Sequence, residues 1–347
     1  MNDSPLPFPA ATAARADPGS ERLLYVDPRT GRFTDRRVAD LPELLAPGDI
    51  VVLNDAATVP ASLRARTPAG EPFEIRLLSH LGGTRWRAVL FGAGDWRTPT
   101  EHRPRPPSLI VEGALGPGPS AASSGGEGRL VDVTIGDDAG AMWERVYREG
   151  RAVQYAYRTA EVALEEMQTP WAGRPWAVEM PSAGRPLTRA ALLALRARGV
   201  EVAWVTHAAG LSSTGDAELD ARLPFPERYD VPAPTVAAID RARAAGARVV
   251  AVGTTVVRAL EGAARNGRGR LEAGEGVTDL HIDRSHEPRV VDALLSGIHA
   301  PGESHFALLE AFAPRGLLRR AAGHAASSGY LAHELGDSML LLRSRPA

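Results

Sequence analysis

Cysteine is absent from the 347 residues, and with it go disulfides, thiolate nucleophiles and cysteine metal sites. Lysine is absent too, so all 40 basic residues are arginines, which excludes a lysine Schiff base and the lysine of a P-loop. The formal net charge of -2 leaves no overall nucleic-acid footprint, although a local arginine face stays open. No apolar run reaches the roughly 18 residues that a membrane helix needs. The start, Met1-Asn2-Asp3-Ser4-Pro5-Leu6-Pro7-Phe8-Pro9, lacks the basic lead and apolar centre of a secretory signal, so the expected location is the cytoplasm. Also missing are a G-x-G-x-x-G after a strand, a Walker A loop, a G-x-S-x-G elbow and an H-E-x-x-H helix, which removes support for the common nucleotide, hydrolase and zinc-protease readings. His281-Ile282-Asp283 and Ser285-His286-Glu287 set imidazoles near carboxylates. Such clusters usually belong to polar surface, so no metal site is expected.

What is present divides the chain by period. Residues 1–20 are rich in Pro, Ala and Ser and read as an irregular arm. Leu23 to Asp27 and Asp49 to Asp55 read as strands, with a helical turn at Ala39 to Leu45. Over 62–150, Phe73 to Leu78, Arg85 to Phe91, Ser108 to Gly113 and Arg129 to Ile135 are short β-branched runs between turn residues, the pattern of a small antiparallel barrel or sandwich. Gly116 to Gly128 reads as a low-complexity loop. Beyond about 180, helices at Leu187 to Arg198 (N-cap Thr188), Pro234 to Ala245, Thr255 to Ala264 and His305 to Ala325 alternate with strands at Val200 to Val205, Arg248 to Val252, Val277 to Ile282 and Ser338 to Leu342. The expected fold is a mostly parallel α/β main domain built from both chain ends, 21–61 and 151–347, with an inserted antiparallel β-barrel domain at 62–150.

One segment carries chemistry by itself. The apolar run Val249 to Val252 breaks at Gly253-Thr254-Thr255, and a helical pattern follows with Arg258 on its first turn. Ligands of open α/β sheets bind at the carboxyl ends of strands, where helix N-termini offer free N–H groups. Thr254, Thr255 and Arg258 could therefore clamp a carboxylate or phosphate. A capped helix whose arginine pairs with Glu261 fits the segment equally.

The order of many short pieces resembles the S-adenosylmethionine:tRNA ribosyltransferase-isomerase family of queuosine biosynthesis. The pieces include Ser20 to Leu24, Val52-Leu53-Asn54-Asp55, Val59-Pro60-Ala61, Gln168-Thr169, and Pro181 with Ala183-Gly184. Further on they include Gly199-Val200-Glu201 into Val205-Thr206, Val250 to Glu261, Thr278-Asp279, Val291 to Leu295, His299 with Pro301, and Gly336-Asp337 with Met339. The resemblance implies an α/β domain plus an inserted β-barrel; separately, a monomer is the expected form. It implies transfer of the ribosyl part of S-adenosylmethionine to a deazaguanine base in the tRNA anticodon, with adenine and methionine leaving. That chemistry removes a proton beside the sulfonium, so it needs a base and an electrostatic clamp. S-Adenosylmethionine enters as substrate, and no prosthetic group or metal is implied.

Departures from the family pattern fall on polar positions. Its P-T-A-G-L-H-F-T reads Pro181 to Thr188, with Pro186 at the histidine. Its T-L-H-V-G begins at Thr206 and has Ala208 at the histidine, beside His207; Arg222 and Phe225 replace two more, and only Glu227 survives in that region. Gly297-Ile298-His299 stands for Asn-Phe-His, and Ala56-Ala57 for Thr-Arg. Three readings follow: the family reaction on tRNA, a divergent paralogue using S-adenosylmethionine or a related nucleoside on a small molecule, or a non-catalytic nucleoside-binding protein. Retained residues nominate the site. His299 is the acid/base candidate, since histidine titrates near neutral pH, and Asp337 would orient it or hold a ribose hydroxyl. Asn54, Asp55, Gly184, Thr206, His207, Thr254, Thr255, Arg258 and Asp279 are the substrate-binding candidates.

Overall fold

The computed structural model describes residues 8–92 apart from 14, 16 and 18, then 108–111, 121–122, and 128–343 apart from 156 and 159. Strands β1 (Arg22–Asp27) and β2 (Arg32–Arg37) precede helix α1 (Leu41–Leu44), and β3 (Ile50–Asn54) runs into the short β4 (Ala56–Thr58). Next come β5 (Ser62–Arg66), β6 (Pro72–Gly82), β7 (Arg85–Gly92), β8 (Ser108–Val111), β9 (Ala121–Ala122), β10 (Leu130–Thr134), α2 (Ala139–Glu149) and β11 (Gly150–Arg151). The chain continues through β12 (Arg174–Ala177), α3 (Arg189–Ala197), β13 (Glu201–His207), α4 (Ala217–Asp220), β14 (Glu227–Val231), α5 (Ala233–Ala244), β15 (Val249–Val252) and α6 (Thr254–Asn266). It closes with β16 (Gly274–Thr278), β17 (Ala293–Gly297), α7 (Ser304–Leu309), α8 (Arg315–Ser327) and β18 (Ser338–Leu342).

Both chain ends build one nine-stranded sheet in the order β16-β14-β13-β3-β15-β17-β18-β1-β2. Its central strands are apolar on both faces, as strands covered on both sides must be. Ile50 and Val52 of β3 join one core with Val249 and Ala251 of β15, while Val51, Leu53, Val250 and Val252 point into the other. Helix α6 lies in the first core and is buried from Val256 to Ala264. The second core takes Leu192 and Leu195 of α3, a helix capped by the Thr188 hydroxyl on the Ala191 N–H.

The fold is mixed α/β, and the sheet departs from the mostly parallel expectation. Pairs β13–β3, β3–β15, β15–β17 and β18–β1 are parallel. Pairs β16–β14, β14–β13, β17–β18 and β1–β2 are antiparallel. The tight connection between β1 and β2 leaves no length for a crossover, so that pair has to be antiparallel. In the insertion the strands run β10-β7-β6-β5-β8-β9, with β11 also on β5, every pair antiparallel. Among the described residues no ladder joins β9 to β10, which closure into the expected barrel requires. The Gly116 to Gly128 loop lies almost wholly outside the described residues.

Two smaller differences have local causes. The helix expected over His305 to Ala325 is broken into α7 and α8 at Pro314, which has no N–H to give and whose ring disfavours a helical residue before it. The strand expected over Val277 to Ile282 ends at Thr278, whose hydroxyl accepts the Leu280 N–H at 3.1 Å and turns the chain.

Candidate functional site

Parallel pairing sends the carboxyl ends of β13, β3, β15 and β17 to one edge, where Val205 faces Asn54 and Val252 faces Leu295. Because β18 is antiparallel to β17, its first residue Ser338 sits against Gly297 at that same edge. Antiparallel β14 brings Glu227 there as well, beside the end of β13. The topology thus gathers the ends of six segments, the place where open α/β sheets bind ligands.

Asn54 organises the centre. Its Oδ1 accepts the N–H groups of His207 (2.9 Å) and Ala56 (3.0 Å), and its Nδ2 donates to the His207 carbonyl (3.0 Å) and to Thr255 Oγ1 (3.3 Å). Asp55 accepts the Thr206 hydroxyl at 2.6 Å. Gly184 lies under Trp171, with the indole 2.9 Å from where a Cβ would stand, and that indole donates to the Asn54 carbonyl at 3.1 Å. Gly253, at φ +93°, turns β15 into α6, a backbone conformation that side-chain-bearing residues rarely adopt. Thr254 and Thr255 then form the first turn, whose N–H groups lack partners within the helix.

Arg258 does not pair with Glu261. Its Nε donates to Glu227 Oε2 at 2.9 Å and its Nη1 to the Leu280 carbonyl at 3.1 Å. Nη2 is buried with no hydrogen-bond partner among the described residues. His207 Nε2 lies 3.2 Å from the same Glu227 oxygen, yet among the described residues neither ring nitrogen makes an aligned hydrogen bond. Burial pushes the Glu227 carboxyl up, but Arg258, then His207 and the Gly210 N–H outweigh it and hold the group at about 2. Glu261 instead accepts the N–H groups of Arg289, Val290 and Val291 at 2.9–3.0 Å and fixes the loop before β17.

His299 follows β17. Its Nε2 is 3.0 Å from Ser296 Oγ, its Nδ1 3.6 Å from Glu303 Oε2, and its ring stacks on His305 with centroids 4.9 Å apart. Burial and the neighbouring His299 push His305 down to about 4, leaving it a neutral imidazole. Asp337 does not orient His299: its carboxylate accepts the Arg22 N–H (2.8 Å), the Leu331 N–H (2.9 Å) and Arg15 Nη2 (2.7 Å), which ties the β18 entry to β1. Asp279 is exposed and paired with Arg265.

Glu179, which no motif marks, stands between β12 and Pro181. Its Oε1 accepts the Tyr155 hydroxyl and the Ser212 N–H, the latter at 2.8 Å. Burial lifts the carboxyl to about 7, and the nearby Glu334 adds to the rise. Its one cue in the sequence is its place beside the segment that begins at Pro181. Among the described residues no group of three or more His, Asp or Glu side chains is set to hold a metal ion, and no helix is long and apolar enough to cross a membrane.

With this geometry in place, comparison with known proteins identifies the lineage. The family described as queuosine biosynthesis protein matches residues 8–341. The S-adenosylmethionine:tRNA ribosyltransferase-isomerase of an Anaeromyxobacter species is 36% identical over 352 residues, covering 99% of this chain and 98% of its own. The protein of the same name from Thermus thermophilus is 36% identical over 339 residues, 94% of each. The crystal structure of an S-adenosylmethionine tRNA ribosyltransferase from Thermotoga maritima superposes with a TM-score of 0.54 at 26% identity, covering 98% of this chain and 99% of that one. The chain therefore belongs to the queuosine biosynthesis protein family.

Proposed function

We propose that this protein is an S-adenosylmethionine:tRNA ribosyltransferase-isomerase, a transferase and isomerase that moves the ribosyl part of S-adenosylmethionine onto a deazaguanine base of tRNA and releases adenine and methionine. The observation that carries the reading is likeness to enzymes of that name along essentially the whole chain, 36% over 99% of it in one case. S-Adenosylmethionine is a substrate here, no prosthetic group enters, and the setting is the cytoplasm, with residues 62–150 as the inserted unit and a monomer as the working form.

In this reading the Arg258 guanidinium, already held by Glu227 and the Leu280 carbonyl, keeps its unpartnered Nη2 for the methionine carboxylate, helped by the first turn of α6 and the Thr254 and Thr255 hydroxyls. Asn54 and Asp55 hold the end of β13 in register with that turn. His299, whose Nε2 lies 3.0 Å from Ser296 Oγ, serves as a proton donor to leaving groups. Gly184 and Asp337 act through packing and loop anchoring.

The replacement of family histidines by Pro186 and Ala208 favours a second reading, in which the same nucleoside site serves a small-molecule acceptor. Incubation with S-adenosylmethionine, with and without an anticodon stem-loop bearing the aminomethyl-deazaguanine base, separates the two. Adenine and methionine release that depends on the RNA supports the first. Release that needs another acceptor supports the second and overturns the first.

A further inference from the structure

The lost motif histidines leave the proposed reaction without an obvious group to take the proton beside the sulfonium. Two motif segments that carried them lie side by side in the fold. The N–H groups of Val178 and Glu179, just ahead of Pro181, both donate to the Ala209 carbonyl at 2.7 and 3.3 Å, in the segment that begins at Thr206. Two N–H groups of that segment, two residues apart, then reach two different carboxylates. Gly210 donates to Glu227 Oε1 at 2.8 Å and Ser212 to Glu179 Oε1 at 2.8 Å.

The two carboxylates have opposite surroundings. Glu227 is neutralised by Arg258 at 2.9 Å and approached by His207. Among the described residues, no cation forms an ion pair with Glu179. The groups around it are Tyr155, which donates to Oε1; Tyr157, stacked on Tyr155 and bonded to Glu334; the acidic Glu334 itself; and Arg158, whose Nη2 is 3.3 Å from Glu334 and which is thereby drawn to that acid. Behind Tyr155 stands Arg76, its guanidinium 5.3 Å from the ring and bound to Glu74 at 2.7 Å. His333 stacks on Tyr157 with ring centroids 4.0 Å apart. Hydrogen bonds from Tyr155 and Ser212 are all to Oε1, so Oε2 is the oxygen left to accept a proton.

We propose that Glu179 is the catalytic base of this chain, taking the proton from the carbon beside the sulfonium of S-adenosylmethionine. The C–H bond breaks, its electron pair stays on carbon next to the positive sulfur, and the proton passes to Glu179 Oε2. No oxidant or further co-reactant is needed for this step. Tyr155 and the Ser212 N–H fix the carboxylate's orientation, and burial together with Glu334 raises its affinity for the proton to about 7, close to the working pH, where a general base is most effective. One carboxylate serves the cation clamp and the other the proton, a division set by environment.

The inference rests on the ribosyl-transfer reading, and the test keeps the two apart. Rates of adenine release from S-adenosylmethionine with the modified stem-loop are measured across pH for the wild type, Glu179→Gln and Tyr155→Phe. The wild type should gain activity as pH rises through about 7. Glu179→Gln should lower kcat about 10²–10⁴-fold with little change in KM and lose that rise. Tyr155→Phe removes a bond that favours the carboxylate and should move the rise to higher pH; this variant decides the matter if Glu179→Gln does not fold. An active wild type whose profile both variants reproduce overturns the base assignment alone. A wild type that releases no adenine overturns the ribosyl-transfer reading, and the assignment with it.

Discussion

Replacing Arg258 by Met keeps most of the stem's bulk and removes the guanidinium that Glu227 depends on. In the wild type, Glu227 is held at about 2 instead of 4.5, which corresponds to on the order of 3 kcal/mol of stability at neutral pH. Because this carboxyl is lowered in the folded state, that stability is present above about 4.5 and is lost as pH falls toward 2. In Arg258→Met the carboxylate retains the Gly210 N–H at 2.8 Å and His207 at 3.2 Å but loses its principal counter-charge. Breaking one half of a buried pair costs about 3–5 kcal/mol, because the remaining charge is left uncompensated. The variant should therefore be less stable at neutral pH and should begin to lose stability at higher pH during acid titration. Adding Glu227→Gln should restore much of the loss, since no buried charge then remains. Urea unfolding followed by tryptophan fluorescence, at neutral pH and along an acid series, gives all three quantities. An Arg258→Met protein within about 1 kcal/mol of the wild type, or a double variant showing the simple sum of both losses, would refute the coupling.

Three further changes probe the frame around the site. Glu261→Ala removes the acceptor for the Arg289, Val290 and Val291 N–H groups and should cost about 3 kcal/mol or more, read by thermal unfolding; an unchanged midpoint contradicts the loop-anchoring role. Gly262→Val drives a side chain into Thr278, whose Cβ is 2.6 Å from the added Cβ position; overpacking should cost about 1–3 kcal/mol in urea titration, and a variant as stable as the wild type contradicts the close approach. Asp337→Asn should cost about 1–3 kcal/mol of stability through its weakened bonds to Arg22, Leu331 and Arg15 while leaving KM for S-adenosylmethionine unchanged, since these partners account for its carboxylate; a stable variant with a large rise in KM contradicts that.

The legible part of this protein is the part written in apolar periodicity. Val249 to Val252 followed by Gly253 announces a buried strand turning into a helix, and α6 lies where that pattern places it. Asn54 is readable for the same reason, as the polar residue that ends a fully buried strand. Partners are a different matter. Nothing near Arg258 in sequence points to Glu227, because an antiparallel strand delivers that carboxylate from 31 residues away. Asp337 looks like a site residue from its retained motif, yet its neighbours in space are backbone N–H groups from both chain ends. Glu179 owes its raised proton affinity to burial and to Glu334, neither of which a linear sequence displays. The mixed sheet hides for a related reason: β14 and β18 reverse direction through connections that look no different from crossovers in sequence.

Ribosyl transfer from S-adenosylmethionine to RNA is read from the intact mass of the acceptor. A stem-loop bearing the aminomethyl-deazaguanine base, incubated with the wild-type protein and S-adenosylmethionine, should gain the mass of one transferred ribosyl-derived ring, with adenine and methionine appearing in equal amounts. An RNA whose mass is unchanged while the folded protein binds S-adenosylmethionine would exclude ribosyl transfer to this acceptor.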